Sequence, residues 1–183
     1  MKTNLFLLSY LLLILVMFLL PRFSAEGYSI LKNTTSQLGA QKTQNAWVMN
    51  ATFVLMGITS IFAGWAHYEG HWLHRVLLLL FGCSFMLVAV FHHAPITPGV
   101  SYSIKDDQLH SLFASTTGFS FIALAIATAF LKETKSEMIL PIAMGVIATI
   151  LSLLMFTVEN LMGIWQRLMF MLAFGWMIYE FRN

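Results

Sequence analysis

Six apolar stretches, at residues 5–20, 46–66, 76–91, 109–131, 138–158 and 164–179, dictate what this 183-residue chain can fold into. Each approaches the roughly 20 residues that carry a helix across a bilayer, with about 17 tolerated. Hydrocarbon offers a backbone amide no partner, so each stretch must satisfy its own amides. With no strand-like alternation in the sequence, helices are the solution. The expected fold is all-α: one domain, a bundle of six transmembrane helices. Composition agrees, with 58% hydrophobic and 10% charged residues against about 25% charged in an ordinary soluble domain.

A net charge of +2, dispersed without a basic run, excludes nucleic acid as an expected partner and leaves membrane lipids. Cys83 is the single cysteine. It lies inside an apolar stretch and reads as a small core residue, with no disulfide or thiolate metal site available within the chain. The first 27 residues imitate a signal peptide: Lys2, a long apolar run, then Phe23-Ser24-Ala25 before Glu26. The run is longer than a usual signal core, and Phe23 replaces the small residue that cleavage prefers. It reads as a retained first span.

Six crossings place both termini on one face. Lys2, Arg75, Lys132, Lys135 and Arg182 belong to that face; Arg22, Lys32, Lys42, Lys105 and Arg167 belong to the other. The counts balance, but the terminal-face loops are the short ones, and the positive-inside rule weighs short loops. Both termini are therefore expected in the cytoplasm, and the chain in the plasma membrane. Within the spans, Ser111, Ser115 and Gly118 form a small-residue stripe of the kind that lets helices approach closely, as do Gly57, Gly64, Gly82 and Gly145. Pro141 is expected in the first turn of span five, where its missing amide costs little. The methionines and phenylalanines read as lipid-facing or core filler. Asn33-Thr34-Thr35 and Asn50-Ala51-Thr52 match the glycosylation pattern by chance.

Chemistry concentrates at the helix ends opposite the termini. Ser36, Asn50, His92, His93, Asp107, His110, Glu159 and Arg167 all fall there, and ionisable groups near hydrocarbon tend to mark function. His92, His93 and His110 are candidate ligands of a divalent metal such as zinc, since imidazole and carboxylate are the usual partners of an open zinc site. His110, Asp107 and Glu159 are candidates for acid–base catalysis, and Arg167 for a bidentate hold on phosphate or carboxylate. The plainer alternative is that histidines cap helices and Arg167 pairs with Glu159. On the terminal face, His67, His71 and His74 would share one face of a helix if Gly70 did not interrupt it. Pairing His67 with His74 and His92 with His110 offers a haem reading.

Three segments carry a resemblance: residues 28–50 (YSILKNTTSQLGAQKTQNAWVMN), His110-Ser111-Leu112, and Gly163-Ile164-Trp165-Gln166-Arg167-Leu168. Together they resemble the prokaryotic membrane-protein family catalogued as domain of unknown function 998. In that family a first-loop Ser-x-Leu-Gly precedes an asparagine in span two, a His-Ser opens span four, and a Gly-x-x-x-Arg opens span six. The matching residues are Ser36, Leu38, Gly39, Asn50, His110, Ser111, Gly163 and Arg167. The resemblance implies six spans in a prokaryotic cell and motifs on the outward face, with Ser36, Asn50, Ser111 and Arg167 as ligand-binding candidates. It implies no activity.

Two readings follow. One is a protein that binds a lipid, headgroup or small ligand in a polar outward pocket, or assists a membrane-protein partner. The other is a hydrolase or transferase acting on a lipid or lipid-linked substrate. A transporter is disfavoured, since no Gly/Pro break interrupts a span at mid-membrane.

Overall fold

The computed structural model describes residues 2–183, and among these every regular element is helical. Six helices are long and apolar enough to cross a membrane: α1 (Lys2–Leu19), α3 (Ala46–His67), α4 (Trp72–Val90), α5 (Ile104–Ala129), α6 (Lys135–Thr157) and α7 (Met162–Glu180). A short helix, α2 (Thr35–Leu38), lies in the first loop. Single 3₁₀ turns, Leu20–Phe23 and Glu159–Leu161, follow α1 and precede α7.

The helices overrun their apolar cores because the polar flanks supply caps. Ser103 accepts from the Asp106 amide and starts α5 several residues before hydropathy does, with Asp106 and Asp107 placed favourably toward the positive end of the helix dipole. Thr134 and Glu137 form a reciprocal capping box that starts α6 at Lys135. Pro141 therefore sits in the interior of α6, not its first turn. Its missing N–H leaves the Glu137 carbonyl without an α-helical partner; Glu137 is exposed, near the helix end.

The spans form a closed ring in chain order, α1 on α3, α3 on α4 and so on to α7, which returns to α1. Gly57 and Gly82 make the α3–α4 contact so close that a Cβ on Gly57 would lie 2.6 Å from the Gly82 carbonyl oxygen. The ring interior is filled by phenylalanines, among them Phe6, Phe53, Phe81, Phe85, Phe170 and Phe174. α1 belongs to this core: Phe6, Leu13 and Met17 are fully buried, and the Tyr10 hydroxyl donates to the Met171 carbonyl at 2.9 Å. Arg182 donates to Asn4 at 3.3 Å, so the two chain ends meet on one face. Buried hydroxyls are satisfied locally, as where Ser9, Thr52, Thr59 and Ser84 donate to carbonyls four residues back. Cys83 is exposed on the outside of α4 and is not a core residue: Gly82 and Ser84 on either side of it take the inward positions.

Candidate functional site

On the face opposite the termini, the first loop is clasped to the start of α7. Thr34 and Gln37 form a capping box around α2, which presents Thr35 to α7. The Thr35 amide and hydroxyl both donate to Gln166 Oε1, at 2.7 and 2.6 Å. The Gly163 amide donates to the Leu31 carbonyl, and any side chain at Gly163 would collide with the Ile30 and Asn33 carbonyls. Gly39 is constrained likewise: its carbonyl accepts from Asn50 Nδ2 at 3.0 Å, and a Cβ there would strike the Asn50 side chain. Gln41 extends the clasp to the loop between α4 and α5, bonding His92, His93 and Ser103 backbone groups.

Arg167 is the centre of this clasp and is only 1% exposed. Its Nε donates to the Met17 carbonyl at 3.3 Å. The α-helical partner of that carbonyl would be the amide of residue 21, which is Pro21 and has none. Nη1 donates to the carbonyls of Ile30, Asn33 and Gly163, and Nη2 to the Tyr28 hydroxyl at 2.7 Å. All three guanidinium nitrogens are thus engaged by the protein's own oxygens, leaving no free fork for phosphate. Nor does Arg167 pair with Glu159, which is exposed on the 3₁₀ turn before α7. Burial pushes the Tyr28 phenol above its ordinary value, against the opposing pull of the guanidinium.

The predicted histidine–carboxylate group assembles only in part. Asp107 Oδ1 accepts from the Ala94 amide at 2.7 Å and lies 3.7 Å from His93 Nδ1. The His93 and His110 rings meet edge-on at 5.2 Å. His110, 3% exposed, donates from Nδ1 to the carbonyls of Phe91 and Val88 at 2.8 and 3.0 Å. Both partners accept, so the network assigns a hydrogen to Nδ1. His110 thereby caps the orphaned carbonyls at the end of α4. His92 lends its backbone carbonyl to Gln41, and Ser111 is exposed on α5. Among the described residues, no group of three or more His, Cys, Asp and Glu side chains is placed to hold a metal ion.

The terminal-face histidines do not share a helix. α3 ends at His67, the chain turns at Gly70 with φ +80°, and α4 restarts at Trp72. The Tyr68 ring packs against those of both His67 and His74, at 4.8 and 5.0 Å. His67 and Lys132 instead converge on Glu180, at 3.4 and 2.5 Å, which locks the ends of α3, α5 and α7 together.

A sizeable void lies elsewhere. A cavity of about 340 Å³ opens between α4, α5, α6 and α7 in the half of the bundle toward the first loop. Side chains such as Phe85, Val88, Ile122, Met169 and Phe170 make its wall mostly apolar. It exists because α5 and α6 pack closely only toward the other half, where Gly145 meets Ile126. Toward the first loop they splay, and exposed Phe119 of α5 and Leu153 and Phe156 of α6 flank a sideways opening. Gly118 lines the gap and a Cβ on it would touch nothing. Ser115 and Gly118 of the small-residue stripe therefore line a cleft and do not serve a tight helix contact. Ser36 alone among the predicted site residues lines this space. Gln166 joins it there; a glutamine inside an apolar span was a legible signal. Tyr28 and Gln41 gave none.

The model of the family described as "Protein of unknown function (DUF998)" matches residues 8–179, so the chain belongs to that family. No curated protein and no solved structure matches it.

Proposed function

We propose that this DUF998-family protein is a lipid-binding protein of the prokaryotic plasma membrane, taking one hydrocarbon chain sideways from the bilayer into the α5–α6 cleft. The observation that carries this reading is the cavity of about 340 Å³ with its lateral opening. Left empty, such a cleft would deprive its wall atoms of packing contacts on one side. Water gains few partners from such walls, and a lipid chain is the filler within reach. Apolar lining with a few polar groups at one end is the usual character of a ligand site. The short terminal-face loops carrying Arg75, Lys132 and Lys135 favour cytoplasmic termini, which puts the cleft in the outer leaflet.

The approach of His93 to Asp107, beside His110, supports an alternative in which a lipid held there is turned over by acid–base chemistry. Photo-crosslinking distinguishes the readings. Protein reconstituted with a diazirine-bearing phospholipid should give adducts concentrated on residues 114–122 and 148–156. Labelling spread evenly over all lipid-facing helices would sink the cleft reading. Release of cleaved lipid, abolished by His93→Ala, would favour the enzyme.

A further inference from the structure

Ser36 and Gln166 end the cavity at its first-loop side, and they are 7% and 8% exposed. The Gln166 amide is oriented by its neighbours: Oε1 accepts twice from Thr35, which leaves Nε2 with two hydrogens to donate. Among the described residues, neither Gln166 Nε2 nor the Ser36 hydroxyl has a protein partner. The other hydroxyls around the cavity are mostly spent. Thr117 donates toward Phe113 and Ser84, Thr149 toward Gly145, and Ser152 toward Met169. Besides the Ser115 hydroxyl on α5, an otherwise apolar pocket thus presents two unused donors together at its first-loop end.

No ionisable side chain is among the cavity's lining residues. Arg167, next in the chain to Gln166, has its nitrogens on protein oxygens. A phosphate or ionised carboxylate seated between Ser36 and Gln166 would be a buried anion with no cation in contact, which is expensive. A neutral carbonyl matches the donors with no such cost.

We infer that the cleft selects acyl lipids over prenyl lipids by seating a neutral acyl carbonyl between the Ser36 hydroxyl and Gln166 Nε2. This rests on the cleft reading above and assigns its specificity. In a bilayer the chain itself gains little by leaving other chains for an apolar wall, so discrimination falls on the polar end. The carbonyl belongs to an esterified glycerolipid or to a protonated fatty acid.

The test is to extract and identify lipids retained by the protein purified in mild detergent, against the composition of the source membrane, beside Gln166→Glu and Ser36→Ala. Glutamate keeps an oxygen for Thr35, so the clasp stays closed, and once ionised it offers an acceptor where the amide donated; a protonated carboxyl still donates, so retention is read at alkaline pH. Unchanged melting and trypsin resistance would verify that. The expected result is acyl lipid enriched over prenyl lipid, with retention about tenfold lower in Gln166→Glu and severalfold lower in Ser36→Ala. Glycerolipid in the extract identifies the ester as the source, and free fatty acid identifies the acid. Enriched prenyl lipid, or folded Gln166→Glu and Ser36→Ala proteins that both retain acyl lipid at the wild-type level, would overturn the carbonyl seat and leave the cleft standing. A wild-type protein carrying no lipid would overturn both.

Discussion

Replacing Arg167 with methionine keeps bulk in the bundle and removes the donors that close the first loop. Of the oxygens it serves, the Gly163 carbonyl lies four residues back along α7 and keeps the helix's own amide, and the Asn33 carbonyl keeps the Tyr28 hydroxyl at 3.0 Å. The Met17 and Ile30 carbonyls lose their donor. Two orphaned carbonyls cost about 2–6 kcal/mol, partly offset because no cation is buried any longer. A net loss of about 3 kcal/mol corresponds to a fall in melting temperature of about 6–12 °C for a chain of this size. Thermal unfolding in detergent, followed by tryptophan fluorescence, reads the first quantity. Trypsin cleavage at Lys32 and Lys42 reads the opening of the loop and should accelerate. Arg167→Lys should recover only part, since one ammonium cannot span acceptors on α1, the loop and Tyr28. Unchanged melting together with unchanged cleavage would refute the clasp and return Arg167 to the candidates for holding a ligand.

Gly57→Ala should lower the melting temperature through a loss of about 1–3 kcal/mol, because its methyl meets the Gly82 carbonyl and Met86; wild-type melting would show that α3 and α4 are not so close. Burial raises the folded-state value of the Tyr28 phenol above its ordinary 10.0. Its contribution to stability is therefore intact below about pH 10 and is lost as pH rises through the folded value. Melting temperatures of the wild type should decline across that alkaline range more steeply than those of Tyr28→Phe. In intact cells, a membrane-impermeant thiol reagent should label Lys42→Cys and spare Lys135→Cys, in a background where Cys83 is serine. The opposite pattern would invert the orientation.

The six spans were legible because hydrocarbon imposes one rule on every residue of a crossing, and local sequence states whether the rule is met. Helix ends were missed where hydropathy alone was followed: Ser103, the Thr134–Glu137 box and the Thr34–Gln37 box are written in the sequence, and hydropathy passes over them. The site divided differently. Helix-end residues such as Asp107, His110 and Arg167 stood out correctly as expensive, but sequence could not say what satisfies them. The answer is largely backbone: carbonyls at the end of α4 for His110, and the carbonyl above Pro21 for Arg167. The cavity was invisible because it is made by a divergence of two helices. Small residues at Ser115 and Gly118 read equally well as a tight contact or as the floor of a gap, and only the position of α6 decides between them.

A lipid chain in the space beside Gly118 would be displaced by a side chain that fills it. Gly118→Phe meets no atom at its Cβ and removes a glycine from a helix interior, which favours folding by about 0.3–0.5 kcal/mol. Lipid retained per mole of purified protein is the measurement. Near-stoichiometric lipid is expected on the wild type, and little on a Gly118→Phe protein that melts at least as high. Equal retention by both proteins would contradict that placement of the chain.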